Sequence, residues 1–157
     1  MSIEAFTKLH EDHPDYVFDI YGEGKLYGEL ASLIESKGLG ENVWLHGFEE
    51  RIHEKMNKAT MFVSTSDFEG VSNSMLEAIA LGVPSIVTDC PVGGAREVVQ
   101  DNINGLLVPV GDVDACYHAM KRIIEEPRLA ESLSAEAVII RERLTMDVIA
   151  QRWIDLM

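Results

Sequence analysis

Two spacings of hydrophobic residues alternate along the chain. Short runs that are apolar at nearly every position predict buried strands, at residues 16–21, 42–48, 61–65, 84–88 and 106–110. Longer segments with apolar residues three or four positions apart predict amphipathic helices, at residues 2–12, 26–37, 72–81 and 112–125 and from 129 to the end. Two shorter helices are predicted at residues 50–58, which is mostly polar, and 95–99, which Gly93-Gly94 opens. Gly38 and Gly82 end two of these helices, and Pro127 forces a break before the last helical stretch.

Strands that alternate with helices predict parallel βαβ units with right-handed crossovers. Because the strands are apolar throughout rather than at every second position, both faces of the sheet should be covered by helices. We therefore expect an α/β fold, a Rossmann-like three-layer α/β/α sandwich with a parallel sheet, spanning residues 1–157 as one domain. Ligands of such folds bind outside the carboxyl ends of the strands.

The charge balance limits the classes of partner. The chain carries 13 Lys and Arg residues against 27 Asp and Glu residues, a formal net charge of −14. Such a surface repels nucleic acid and anionic lipid, so we expect no nucleic-acid partner. An anionic ligand would have to be held by a helix N-terminus, by backbone N–H groups or by a few placed Arg and Lys side chains.

The first residues have no signal-peptide pattern, and no apolar run approaches the ~20 residues of a membrane span. The sequence therefore predicts a soluble, cytoplasmic protein, and a peripheral position at the inner membrane face stays open for a full-length protein. Cys90 and Cys116 lack the spacing of a metal site, so they should be reduced thiols without a catalytic role. Among the histidines, His46 is expected at a strand end near the ligand crevice, and the others are expected on the surface: His10, His13, His53 and His118.

The segment at residues 66–78 holds the strongest candidate site. It leaves the carboxyl end of a strand, passes through a loop that contains Gly70, and enters a helix. Free N–H groups and the positive end of the helix dipole at such a junction suit a diphosphate. Glu69 in the loop and Glu77 on the helix could then meet two different parts of one extended ligand.

The same residues also fit a purely structural interpretation. Ser74 and Glu77 match a capping box, in which Glu77 would only satisfy an N–H group of the helix. Ser72 or Asn73 would then be an ordinary N-cap, and Glu69 a solvated loop residue. The pattern alone leaves both interpretations open.

The wider sequence around these carboxylates resembles a known signature. Glu69 and Glu77 form a Glu-x7-Glu motif within Phe-Glu-Gly-Val-Ser-Asn-Ser-Met-Leu-Glu-Ala-Ile-Ala-Leu-Gly-Val-Pro, which is similar to the signature of the family 4 glycosyltransferases, retaining enzymes of the GT-B fold. Further motifs follow in the order and spacing of that family: Ile20-Tyr-Gly-Glu-Gly24, Pro84-Ser-Ile-Val-Thr-Asp89, Gly93-Gly94-Ala-Arg-Glu97 and Asn104-Gly105-Leu-Leu-Val108. The similarity covers essentially the whole chain and favours the subset that builds surface polysaccharides.

This resemblance implies the C-terminal, donor-binding half of a GT-B hexosyltransferase. Such an enzyme transfers a sugar from a UDP- or GDP-linked nucleotide-sugar to a glycan or lipid-linked acceptor, without a cofactor or a metal ion. The resemblance assigns Glu77 to the ribose hydroxyls and Glu69 to catalysis, as an electrostatic support for the transferred sugar or, less favoured, as a nucleophile. The donor would also contact backbone and turn residues: Gly22, Gly24, Gly70, Val71, Ser72 and Asn73.

The chain departs from the family pattern at its start. It lacks the N-terminal acceptor domain and the first strand of the donor domain, with the Gly-Arg-Leu and Lys-Gly residues that normally grip the diphosphate. We therefore expect an incomplete domain that is inactive alone and that meets its acceptor through the missing domain. The nearest basic residues to the expected crevice, Lys25 and Arg96, match neither motif.

The missing strand would lie at the sheet centre, between the strands at 16–21 and 61–65. Buried backbone groups that stay unpaired cost free energy. We therefore expect either direct pairing of these two strands in a five-stranded sheet or an oligomer formed through this region.

Two other function classes stay open. The first is a non-catalytic domain that binds a nucleotide-sugar or another protein. The second is a dinucleotide-dependent oxidoreductase, since Gly22, Gly24 and Gly28 follow a strand. Their spacing is GxGxxxG rather than GxGxxG, and no acidic residue ends the next strand, so this match is weak.

Overall fold

The computed structural model describes residues 1–156. The strands are β1 (Phe18–Ile20), β2 (Val43–Leu45), β3 (Phe62–Ser64), β4 (Ser85–Thr88) and β5 (Leu106–Val108). The helices are α1 (Ser2–Asp12), α2 (Tyr27–Ser36), α3 (Ile52–Met56), α4 (Asn73–Leu81), α5 (Gly94–Val98), α6 (Val113–Glu125), α7 (Pro127–Ala137), α8 (Ile140–Arg143) and α9 (Met146–Asp155). Within that range every helix is too short or too polar to span a lipid bilayer.

The strands form two parallel sheets rather than one. β1 pairs with β2, and β3, β4 and β5 pair in that order with β4 in the middle. The order β2-β1 followed by β3-β4-β5 fits the Rossmann arrangement with the position of its first strand left open. The predicted α/β Rossmann-like fold is confirmed, whereas direct pairing of β1 with β3 in one five-stranded sheet is wrong.

A shared core explains why the two sheets stay apart. One cluster of buried side chains includes Phe6 of α1, Ile86 of β4 and Met120 of α6. Phe18 of β1 and Val63 of β3 pack against this same cluster. Moving the two strands together would compress the layer beneath them, which close-packed interiors resist. The other half of the expectation, an oligomer through the open edges, stays a prediction.

The open edges can be assigned to individual backbone groups. Phe18 donates its N–H towards β2, to a carbonyl at 2.8 Å, and Phe62 donates towards β4, to a carbonyl at 2.9 Å. Successive residues of a strand direct their N–H groups to opposite sides. The N–H groups of Asp19 and Val63 therefore face the space between the two sheets.

Helix ends lie close to the predicted positions because local chemistry determines them. Asp112 caps α6 by accepting a hydrogen bond from the N–H of Ala115 at 2.9 Å. Gly82 ends α4 in the left-handed region, with φ of 76°. Pro127 is the first residue of α7, where proline fits a helix, and it separates α7 from α6.

Candidate functional site

The loops after β3 and β4 hold each other in place at the carboxyl end of the sheet. The N–H of Glu69 donates to the carbonyl of Pro91 at 2.8 Å, and the N–H of Val92 donates back to the carbonyl of Glu69 at 3.2 Å. Thr88, buried at the end of β4, donates its hydroxyl to the carbonyl of Ser66 at 2.6 Å. The backbone that carries the Glu69 side chain is therefore fixed through both its N–H and its carbonyl group.

The segment after β4 approaches the loop after β3 so closely that a glycine is required at the point of contact. Gly94 packs against the peptide that joins Gly70 to Val71, and a Cβ atom at position 94 would lie 2.1 Å from the carbonyl carbon of Gly70. The loop cannot yield without breaking the hydrogen bonds that pin Glu69. The Gly93-Gly94 motif of the sequence thus has a steric cause at its second position.

The carboxylate of Glu69 is half-buried and accepts a hydrogen bond from the Ser66 hydroxyl at 2.9 Å. It borders a pocket of about 10 Å³ lined by Ser64, Glu69, Gly70, Ser72, Met75, Val87, Thr88, Cys90 and Ala95. That volume suits one water molecule, so a sugar ring would lie outside the pocket, over the loop.

The N-terminus of α4 is open towards this loop. Ser72 occupies the N-cap position, but its hydroxyl contacts that of Ser74 at 2.9 Å and makes no capping bond. Within residues 1–156, no protein group accepts a hydrogen bond from the N–H groups of Asn73, Ser74 or Met75. The capping box is therefore not formed, and the free donors lie at the positive end of the helix dipole, as an anion site requires.

Glu77 lies one helical turn after Asn73, and its carboxylate meets a side chain from another helix. α3 packs on α4, and Nε2 of His53 lies 3.4 Å from Oε2 of Glu77. The two side chains stay 59% and 40% exposed, so a ligand can still reach the carboxylate. The sequence interpretation missed this contact, because His53 carries no local signal and lies on a different helix.

The turn after β1 forms a second part of the same edge. Gly22 has φ of 128°, a conformation that favours glycine, and donates its N–H to the carbonyl of Gly47 at 3.1 Å. Gly24 lies in the exposed stretch before α2. The two glycines form the turn expected from the sequence, and their contact with a nucleotide stays a prediction.

Two histidines stack on aromatic side chains, one beside this turn and one on α1. His46 follows β2 as expected, with Nε2 2.6 Å from the Asp19 carboxylate and its ring stacked on Tyr21 at 4.6 Å. Burial raises the pKa of the Tyr21 phenol. His10 was expected on the surface, but it is half-buried and stacks on Phe6 with ring centroids 6.0 Å apart.

Arg96 does not offer a free charge to an anion. Its guanidinium forms two hydrogen bonds with the carboxylate of Asp89, at the end of β4. Hydrogen bonding to Arg96 lowers the pKa of Asp89, and the same bonds raise the pKa of Arg96. The pair lies at an open depression of about 630 Å³ beside the ends of β4 and β5.

The sequence contains one Asp-x-Asp pair, Asp112 and Asp114, and the structure shows both carboxylates in structural contacts. Asp112 is the N-cap of α6, and Asp114 forms an ion pair with Lys8 of α1. Within the described part of the chain, no group of three or more His, Cys, Asp or Glu side chains is arranged to hold a metal ion.

Comparison with known proteins adds to this geometry. The model of the family "Glycosyl transferases group 1" matches residues 1–138. The exopolysaccharide phosphotransferase SCO2592 of Streptomyces coelicolor is 33% identical over 99% of this chain and 16% of its own length. A Campylobacter jejuni enzyme, N-acetylgalactosamine-N,N'-diacetylbacillosaminyl-diphospho-undecaprenol 4-alpha-N-acetylgalactosaminyltransferase, is 34% identical over 86% of this chain and 36% of its own length. The chain therefore spans only a minor part of these relatives.

Solved structures of similar fold include glycosyltransferases with bound UDP. TarM of S. aureus, solved with UDP, Fondaparinux and alpha-GlcNAc-glycerol, superposes with a TM-score of 0.89 at 28% identity. The match covers 98% of this chain and 31% of TarM. The pneumococcal O-GlcNAc transferase GtfA, solved with UDP and GlcNAc, gives a TM-score of 0.85 at 25% identity over 98% of this chain and 31% of its own.

Proposed function

Because the chain belongs to the group 1 glycosyl transferases, we propose that it forms the donor-binding part of a retaining, nucleotide-sugar-dependent glycosyltransferase. The observation that carries this proposal is the junction between β3 and α4. There a pinned loop presents Glu69, and an uncapped helix N-terminus leads to Glu77 one turn later. Each group faces a different part of one extended donor.

The diphosphate of the donor would bind at the N-terminus of α4. The N–H groups of Asn73, Ser74 and Met75 supply donors there, together with those of Gly70, Val71 and Ser72 in the loop. Since negative charge grows on the leaving diphosphate, donors fixed in advance stabilise the transition state more than the ground state. Arg96 adds little while Asp89 holds it, so the donors that we assign to the phosphates are backbone N–H groups.

Glu77 would bind the ribose. A carboxylate accepts hydrogen bonds from two vicinal hydroxyls at once, and Glu77 lies one helical turn beyond the N-terminus of α4 where the diphosphate would bind. The turn at Gly22 and Gly24 would lie near the nucleotide. The nucleotide is a uridine or guanosine diphosphate, and the UDP-bound relatives favour uridine.

Glu69 would act on the transferred sugar. Its backbone is held from both sides and its carboxylate by Ser66, so the negative charge keeps a constant place. In a retaining transfer through an oxocarbenium-like state, a fixed carboxylate near the sugar stabilises the positive charge that develops. Glu69 is thus assigned electrostatic support rather than nucleophilic attack.

The acceptor would bind outside this chain, in a further domain of a longer protein. The Campylobacter jejuni relative is named for a diphospho-undecaprenol-linked acceptor, and the Streptomyces relative for exopolysaccharide. A glycan or lipid-linked acceptor in surface polysaccharide synthesis follows by analogy, with a site of action in the cytoplasm or at the inner membrane face. The open edges of β1 and β3 would be covered by a strand from a neighbouring segment or a second copy.

A non-catalytic nucleotide-binding domain is the second candidate. For the isolated chain it is favoured because the Arg96 guanidinium is paired with Asp89 and does not offer a free charge to a leaving diphosphate. The dinucleotide-dependent oxidoreductase has no such support, since the family match assigns the same residues to a transferase.

Calorimetric titration with UDP, GDP and NAD tests the proposal. We expect UDP or GDP to bind and NAD not to bind. Replacement of Glu77 by Ala should weaken binding of the nucleoside diphosphate by ~1–3 kcal/mol, as for the loss of a charged hydrogen-bond partner. Unchanged affinity in Glu77→Ala would contradict the ribose assignment, and binding without sugar transfer by a full-length protein would favour the non-catalytic domain.

A further inference from the structure

We propose that His53 is a positioning residue for Glu77 and so determines how strongly the protein prefers a ribose with both vicinal hydroxyls. This inference rests on the proposed function, because it requires Glu77 to bind the ribose. It follows from the contact between Nε2 of His53 and Oε2 of Glu77 at 3.4 Å.

α3 is placed to hold this contact. Ile52 and Met56 are half-buried and fasten the short helix, while His53 stays on the exposed side towards α4. Arg51, which precedes the helix, pairs with Glu54 at 3.8 Å. Within residues 1–156, His53 is thus the side chain that contacts the Glu77 carboxylate.

The contact matters for position rather than for stability. Contacts between polar side chains as exposed as these add little to the free energy of unfolding. A free glutamate, however, samples many rotamers, and a ligand that binds it must restrict them at the expense of affinity. His53 restricts them beforehand, and it does so at Oε2, which leaves Oε1 and further lone pairs for the ribose hydroxyls.

A comparison of ribose with deoxyribose nucleotides isolates this role. Binding of UDP and of 2′-deoxy-UDP to the full chain would be measured by calorimetry, with GDP and 2′-deoxy-GDP in their place if GDP binds more tightly. The variants are His53→Leu, which removes the polar contact, and His53→Gln, which keeps an N–H group at similar reach. Lys55→Gln is the matched control, since it removes a positive charge from the same helix, and Glu77→Ala is the reference.

We expect His53→Leu to weaken UDP binding about 3- to 10-fold, because the ligand must then restrict the Glu77 side chain itself, and 2′-deoxy-UDP binding less than about twofold. His53→Gln should restore most of the preference for the ribonucleotide, and Lys55→Gln should leave it unchanged. A structural role of His53 would instead weaken both nucleotides equally and would not be rescued by glutamine.

Different outcomes would contradict the positioning role of His53 and the ribose assignment of Glu77. If Glu77→Ala abolishes the preference for UDP over 2′-deoxy-UDP but His53→Leu does not alter it, the positioning role is overturned while the proposed function stands. If Glu77→Ala keeps the preference, or if neither nucleotide binds the unaltered chain, the ribose assignment falls and the inference with it.

Discussion

Loops follow the strands at the same edge in both halves of the molecule, yet the structure holds them in different ways. After β3 and β4, Glu69 exchanges hydrogen bonds with the neighbouring loop and Gly94 packs on the peptide after Gly70. After β1, Gly22 makes one backbone hydrogen bond to the loop after β2, the His46 side chain contacts Asp19 and Tyr21, and Gly24 has open space around it. We call the half with three strands interlocked, because backbone groups hold Glu69 from both sides, and the half with two strands open.

This difference matches the demands of the proposed chemistry. A group that stabilises a developing charge acts only if it is fixed before the reaction, which the interlocked loops provide for Glu69. A turn that only covers part of a nucleotide can adjust on binding. β1 and β3 each have one unpaired edge towards the space between the sheets, which leaves their backbone less protected than that of β4.

Hydrogen exchange measured by NMR should show the largest expected effect, a contrast between the open edges of β1 and β3 and the central strand β4. We expect the amide protons of Asp19 and Val63, which face the space between the sheets, to exchange at least about a thousandfold faster than those of Ile86 and Val87 in β4. Equal protection at all four positions would mean that the edges are covered. If the protection of these amide protons from exchange increases with protein concentration, a second copy of the chain covers the edges.

Gly94→Ala should destabilise the interlocked half strongly. Its Cβ atom would lie 2.1 Å from a backbone carbon of the Glu69 loop, so the two loops must separate, at a cost of about 3 kcal/mol in the free energy of unfolding. Urea denaturation measures this effect. The matched control in the open half is Gly24→Ala, which meets nothing within 4 Å and should change stability by less than about 0.5 kcal/mol. Similar effects at both glycines would show that the loops are not interlocked.

Glu69→Gln separates catalysis from binding in the interlocked half. In a full-length enzyme carrying this sequence, we expect turnover to fall about a hundredfold, because the charge matters most as positive charge develops on the sugar. Affinity for the nucleoside diphosphate should change much less. Steady-state kinetics and calorimetry measure the two effects, and equal turnover in variant and parent would remove Glu69 from the mechanism.

The pH dependence of stability gives the smallest expected effect. The folded pKa of Asp89 is lowered by Arg96, so the carboxylate stabilises the fold above its ordinary value of 3.8 and loses this contribution as the pH falls through the lowered value. Asp89→Asn should therefore destabilise the protein at pH 7 and make little difference near pH 2. The control is Asp15→Asn, which replaces an exposed carboxylate near β1 and should leave the free energy of unfolding unchanged at both pH values. A pH-independent effect at Asp89 would contradict the ion-pair explanation.

Local patterns in the sequence were sufficient for the succession of elements and for the loop that carries the candidate site. The period of apolar residues reports burial within one segment, and Gly38, Gly82 and Pro127 act on residues beside them, so each could be interpreted without knowing the rest of the fold. The Glu69-to-Glu77 segment was likewise recognisable, because a strand, a glycine-containing loop and a helix N-terminus are contiguous in the chain.

Only the tertiary structure decided the features that join distant segments. Whether Glu77 caps its own helix or meets His53 depends on how α3 packs on α4. The need for glycine at position 94 arises because two loops meet there. The separation of β1 from β3 depends on a core shared by helices from both ends of the chain, and a local period carries no information about how many side chains must fit beneath a sheet.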